Sequence, residues 1–171
     1  MSKQSSNEID QMLQRARVKF HYLFQTILDF QSFSLKPTNR ELVRRDITQS
    51  IASSVSNLVL KTSEYFYNDG SSKELLCLSG TVACNYRGSR YNIPIEIWIQ
   101  DNHPNNAPLV YVKPTSDMHV SPTSKDVLPD GTLIIPYIKQ WRHVKLVLLS
   151  SFRSLLNFFC LFSRIAIWRI Y

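Results

Sequence analysis

The side chains able to do chemistry are few and poorly grouped. Three cysteines, Cys77, Cys84 and Cys160, make an odd number with no C-x-x-C spacing. Neither a disulfide framework nor a zinc site is expected from that pattern. Cys77 and Cys84 fall in β-prone runs and read as small buried residues, a common place for cysteine. Ser116, Asp117 and His119 lie close together, but no nucleophile elbow or glycine-rich phosphate loop frames them. They read as a solvated loop. The residue types therefore imply no catalytic constellation, no metal and no cofactor.

The 171 residues, 44% hydrophobic and 19% charged, suit one folded domain with a real core. A net charge of +7 allows acidic partners. The basic residues are scattered, however, from Arg40 and Arg44 through Lys61, Lys73 and Arg90 to Lys125. No dense basic run alternates with aromatics, so nucleic acid is not an expected partner. The first fifteen residues are too polar for a secretory signal. No long apolar window is free of charge, which argues against a spanning helix. With no disulfide pattern, a cytoplasmic protein is expected.

The elements that would position binding residues follow from periodicity. Ser5 to Arg17 can start a helix, with Ser6 as N-cap and Ile9, Met12 and Leu13 on one face. Val18 to Leu35 is aromatic-rich without a clean period. From Arg40 to Val59, Leu42, Val43, Ile47, Ile51, Val55 and Leu58 recur at helical spacing. Ser63 to Tyr67 reads as a strand ending at the turn Asn68-Asp69-Gly70. Leu75 to Tyr86, Tyr91 to Ile99 and Leu109 to Val112 complete a meander. In the third strand Tyr91, Ile93, Ile95, Ile97 and Ile99 share one face, the period of two of a half-buried sheet. Pro94 lacks an N–H and should sit near an edge or where pairing is irregular.

Ordered strings within this layout resemble one family. Tyr67-Asn68-Asp69-Gly70-Ser71-Ser72-Lys73-Glu74-Leu75, Leu78-Ser79-Gly80-Thr81, Tyr86 to Ile95, Tyr111-Val112-Lys113-Pro114-Thr115-Ser116 and Pro136-Tyr137-Ile138-Lys139-Gln140-Trp141 occur in the family's order. They resemble the ubiquitin-conjugating-enzyme variant (UEV) domain of the ESCRT-I tumour-susceptibility family, over somewhat more than half the chain. The resemblance implies an α/β (α+β) fold like that of ubiquitin-conjugating enzymes: an N-terminal helix, a four-stranded antiparallel meander and C-terminal helices. Active enzymes of this fold need a cysteine nucleophile. The matching run here, Asp130-Gly131-Thr132-Leu133-Ile134, puts Ile134 at that position, and an aliphatic side chain cannot form a thioester.

The family also implies binding sites. Capture of Pro-Thr/Ser-Ala-Pro peptides, which are extended and already restricted by proline, would fall to Thr81, Tyr86, Tyr91, Asn92, Val112 and Met118. Read from the sequence alone, Tyr86 and Tyr91 are equally strand aromatics flanking a hairpin turn. Ubiquitin binding would fall to Asn68 and Asp69 on the first turn, with Trp98 and Tyr111 on the sheet. Trp98 opposes the isoleucine stripe, so it is either partly exposed, as aromatics at interfaces are, or covered by a terminal helix. The family often has phenylalanine in place of Tyr111, and a wet rim would tolerate the added hydroxyl.

Two segments depart from the family. Residues 1–39 read as an atypical N-terminal extension, 40–143 as the UEV domain and 144–171 as a divergent apolar segment. Val18 and Val144 each open a foreign block with Val-Lys, as a translated intron can. The last block would fold as a helix on the sheet or lie on a membrane surface, helped by its arginines. Lacking the family's proline-bearing tail, the chain is expected to bind peptide weakly. The expected role is a ubiquitin- and peptide-binding adaptor in endosomal sorting, cytoplasmic and endosome-associated, with ESCRT-I subunits as partners within a longer form. The alternatives are a non-catalytic subunit of an active conjugating enzyme and a mis-spliced product with little function.

Overall fold

The computed structural model describes residues 37–52, 56–86, 89–122, 124–139, 141 and 167–169, with individual helical positions between 7 and 25. Those helical positions agree with a helix in the 5–17 stretch, where Leu13 is exposed and Ile9 and Met12 lie outside the described residues. Most of the 18–35 and 144–171 blocks also lies outside them.

Helix α1 spans Arg40–Ala52. The Val43 amide donates to the Asn39 carbonyl at 3.0 Å, which makes Asn39 the N-cap, a favoured residue there. Val43, Asp46, Ile47, Ser50 and Ile51 are buried, the i, i+3, i+4, i+7 stripe of a helix laid on a core. The helix is shorter than its periodicity implied. Leu58 and Val59 belong to the first strand, because Leu58 fits both a helical stripe and the alternation of Leu58 and Leu60, buried, with Asn57, Val59 and Lys61, exposed. Long-range pairing decides between the two.

Strands β1 (Ser56–Phe66), β2 (Ser72–Tyr86), β3 (Ser89–Ile99) and β4 (Leu109–Val112) form an antiparallel sheet in sequence order. The register of β1 on β2 runs without a break from Ser56↔Val82 to Phe66↔Ser72, and that of β2 on β3 from Leu76↔Ile99 to Tyr86↔Ser89. One face carries Leu58, Leu60, Leu76, Leu78, Val82, Ile93, Ile95, Ile97, Val110 and Val112, which form the main core with α1. Gly80 sits opposite Leu58 with φ +154°, and a Cβ there would overlap the Asn57 carbonyl oxygen. Pro94 sits where β3 runs past the end of β4. Its carbonyl accepts from Lys113 N at 3.0 Å, so its nitrogen faces the end of β4, just past the last pair, Ile95↔Val112.

Residues 130–133 line the free edge of β4, with Val112 N donating to Gly131 O and Leu133 N to Val110 O, both at 2.8 Å. The expected C-terminal helices reduce, among the described residues, to α2, Pro136–Lys139. Ile167–Arg169, in the block expected to be helical or membrane-bound, instead forms strand β6 and pairs with β5, Met118–Val120.

One buried polar link joins α1 to the loop after β3. His103 Nε2 lies 3.0 Å from Asp46 Oδ2, with both residues buried. Trp141 closes the same corner, its indole N–H donating to Pro104 O at 2.7 Å and its ring 5.7 Å from that of His103. Asp46→Ala removes the carboxylate from this buried hydrogen bond and should cost about 1–3 kcal/mol, seen as a lower urea midpoint with unchanged m-value. Gly80→Ala should cost about 1–3 kcal/mol through backbone strain, and an unaltered midpoint would refute the close approach to Asn57.

Candidate functional site

The strict alternation of the sheet leaves a second face, away from α1. At its end nearest the first turn, Trp98 of β3 lies between Cys77 of β2 and Leu109 of β4. Leu75, Cys77 and Trp98 form a small buried cluster, with Tyr65, Leu109 and Tyr111 packed against it. The Tyr65 ring meets Trp98 at 5.2 Å and 63°, an edge-on arrangement favourable to the two ring quadrupoles. Its hydroxyl oxygen is 2.6 Å from that of Tyr111, and its other side meets the Tyr67 ring at 4.8 Å and 74°. Burial, and then the bond to Tyr111, raises the Tyr65 phenol well above its ordinary value.

Tyr67 opens the turn that the sequence marks with Asn68-Asp69-Gly70. Gly70 N donates to Tyr67 O at 3.0 Å, Tyr67 N donates to Ser71 O at 2.8 Å, and Gly70 has φ +83°. Asp69 accepts from Ser71 Oγ at 2.6 Å and Ser71 N at 2.9 Å; these bonds, the hydroxyl's first, hold its carboxyl below the ordinary range. Asn68 and Asp69 are thus exposed on a closed turn that continues into the aromatic platform. Phe66 projects to the other side of β1, 68% exposed.

Beside the platform, Glu96 lies opposite Tyr111 and takes Lys61 Nζ at 3.2 Å and Lys113 Nζ at 3.7 Å. The lysines are half exposed, so this bridge orients charge and adds little stability.

Five of the six candidate peptide residues lie towards the other end of the sheet but do not share one face, and the sixth, Met118, belongs to the separate β5–β6 pair. Thr81, opposite Pro94, and Asn92, opposite Ala83, lie on the outer face. Tyr91 is half-buried and packs on the main core. Val112 is 1% exposed, so it shapes the sheet from within and presents no surface of its own. Tyr86 ends β2 opposite Ser89, and its side chain lies outside the described residues. Met118 is half-buried in β5, where β6 pairs alongside it through Arg169.

Two expectations are corrected here. Trp98 is neither partly exposed nor covered by a described helix: it is 7% exposed, roofed by its own sheet neighbours. The Tyr111 hydroxyl is not left at a wet rim but is bonded to Tyr65. Sequence reasoning missed Tyr65 and Tyr67, although their alternation just before a strong turn signal marked them as face-sharing aromatics. His119 is exposed on β5, as a solvated residue should be. Ile134 is half-buried, its amide donating to Asp126 O at 2.7 Å. Among the described residues no group of three or more His, Cys, Asp or Glu could hold a metal, and no helix is long and apolar enough to cross a membrane.

Cys77, fully covered beneath this platform, has its thiol pushed by burial from 9.0 up to about 12. A raised thiol pKa favours the folded state fully below the unfolded value. That contribution is lost as pH rises from about 9 through about 12. Cys77 should therefore resist alkylation in the native protein at pH 8 and react once the chain is unfolded in urea. Peptide mapping by mass spectrometry reads this, and rapid native labelling would mean that the platform opens.

The model of the UEV domain family matches residues 29–163. The tumor susceptibility gene 101 protein of Homo sapiens is 38% identical over 120 residues, 70% of this chain and 30% of that protein; the chain thus spans under a third of that relative's length. Among solved structures, the yeast Vps23 UEV domain in complex with a Vps27 PSDP peptide matches with a TM-score of 0.60 at 17% identity, covering 80% of this chain and 90% of that one. A complex of the Vps23 UEV with ubiquitin gives 0.60 at 16% identity, covering 80% and 91%. At these identities the two structures speak for the fold, a four-stranded antiparallel sheet with few helices. UEV domains are non-catalytic variants of the ubiquitin-conjugating-enzyme fold, and with a family match across most of its length this chain belongs to the UEV domain family.

Proposed function

We propose that this chain is a non-catalytic adaptor module that binds ubiquitin and short Pro-Thr/Ser-Ala-Pro peptides in endosomal sorting, at the cytoplasmic surface of the endosome. The observation that carries the proposal is the continuity between the exposed Asn68-Asp69 turn and the Tyr65–Trp98–Tyr111 platform. A protruding polar turn beside an aromatic surface suits a globular partner with an apolar patch and a polar rim. The Vps23 relative is described in complex with ubiquitin, which supports that partner.

Peptide binding is proposed for Thr81, Tyr86, Tyr91, Asn92 and Met118, with Val112 supporting them from the core. Asn92 can both donate and accept towards a peptide main chain, and the tyrosines offer flat area to proline rings. The Vps23 complex with a PSDP peptide supports this class of ligand. We place Ile134 where an active enzyme carries its nucleophile, which makes thioester chemistry impossible at that position. ESCRT-I subunits are proposed as partners of a longer form.

Asn92 and Trp98 are roughly 20 Å apart along β3 at the rise of an extended strand, so the two ligands should bind independently. Asn68→Ala should weaken ubiquitin about three- to tenfold, as loss of a moderate contact does, and leave the peptide within about twofold. Asn92→Ala should do the reverse. Titration of labelled ubiquitin by NMR and of a labelled Pro-Thr-Ala-Pro peptide by fluorescence anisotropy reads both. Incubation with activating enzyme, ATP and ubiquitin should yield no thiol-sensitive conjugate. A folded protein that bound neither ligand would defeat the proposal; if it stimulated chain synthesis by an active conjugating enzyme, the subunit role would replace it.

A further inference from the structure

We infer that Tyr65 is a positioning residue that locks the Asn68-Asp69 turn and the Tyr111 phenol onto Trp98 as one preorganised surface. The inference rests on the reading of this face as the ubiquitin site.

Among the described residues Tyr65 takes part in three ring contacts, each with a different part of the site. Tyr67, at 4.8 Å, opens the turn. Trp98, at 5.2 Å, is the floor of the platform, and Tyr111, at 6.3 Å, lies on β4, which pairs with β3 and not with β1. Beyond the pair Leu76↔Ile99 the hairpin of β1 and β2 has no third strand beside it, and past Phe66↔Ser72 it is closed by Tyr67 N on Ser71 O and Gly70 N on Tyr67 O. A two-stranded projection is weakly held by itself, so its angle to the sheet depends on side chains at its base. The Tyr65–Tyr67 edge contact is such a hold. A partner touching both the turn and β4 would otherwise have to order them on binding, at a cost in affinity.

The hydroxyl pair adds a sharper consequence. The two phenol oxygens are part-buried and 2.6 Å apart, so one hydroxyl donates to the other and the pair leaves a single O–H, rather than two, for a partner or water to accept. Removing one hydroxyl leaves its mate half-buried without that bond, which costs more than removing both. The phenylalanine common in the family at the Tyr111 position would therefore be poorly tolerated here alone. It would be well tolerated together with Tyr65→Phe.

The test is a double-mutant cycle. Tyr65→Phe and Tyr111→Phe should each weaken ubiquitin binding about three- to tenfold, and the double variant should recover to within about twofold of the parent. Peptide affinity should hold throughout, which a general loss of structure would not allow. Additive losses in the double variant, or singles that bind like the parent, would overturn the inference. A readout independent of ubiquitin is hydrogen exchange of the Gly70 amide, which closes the turn on Tyr67 O. In Tyr65→Val, which keeps a strand-favouring residue, that amide should exchange about tenfold faster; an unchanged rate would refute positioning of the turn. If the parent protein bound no ubiquitin, the adaptor reading would fall, and the Gly70 exchange rate would still decide whether Tyr65 holds the turn.

Discussion

The unbroken ladder between β1, β2 and β3 is the constraint on which the rest depends. From Ser56 to Phe66 and from Ser72 to Tyr86 no bulge interrupts the register, so every side chain is assigned to one face by simple parity. A slip by one residue would put Leu58, Leu60, Leu76 and Leu78 in water and the lysines in the core. Gly80 guards that register. With its partner strand so close that a Cβ would overlap the Asn57 carbonyl oxygen, the ladder can form tightly only where the side chain is missing.

Parity produces two faces with different tasks. The inner face is aliphatic and packs against α1, as a core should. The outer face changes character along its length: an aromatic platform near the first turn, the Glu96 bridge to Lys61 and Lys113 beside it, and the smaller residues Thr81 and Asn92 farther along. Such a gradient gives one sheet face two chemically distinct ends. The platform is also roofed from its own sheet, since among the described residues Tyr65, Leu109 and Tyr111 pack against the Trp98 cluster and no helix does. Its outer atoms therefore belong to phenol rings with their hydroxyls already bonded.

The edges are managed by loops. Residues 130–133 cover β4 through hydrogen bonds to Val110 and Val112, and Gly131, at φ +89°, allows their close approach. The Asp46–His103 link fastens the helix to the loop between β3 and β4, and Trp141 fastens the segment after α2 to that same loop. This corner ties the inner layer to the loop at the end of β3. β6 pairs with β5 beside Met118, which brings residues 167–169 next to a candidate peptide-binding residue.

The amino-acid sequence by itself determined the parts governed by short-range rules. The alternation of Ile93, Ile95, Ile97 and Ile99 set a half-buried strand, Asn68-Asp69-Gly70 set the turn, and the spacing of Val43, Ile47 and Ile51 set the helix. Ordered strings through the same elements marked the family and its non-catalytic character. The stop of α1 at Ala52 was not legible, because Leu58 fits a helical and an extended period equally well and only pairing with Gly80 in β2 settles it. Nor could local pattern bring Asp46 to His103 or Tyr65 to Tyr111, partners 57 and 46 positions apart. The burial of Trp98, the bonding of the Tyr111 hydroxyl and the division of the candidate peptide residues between two faces are likewise products of tertiary folding. They depend on which strands become neighbours and in what register, and no residue's own sequence context carries that information.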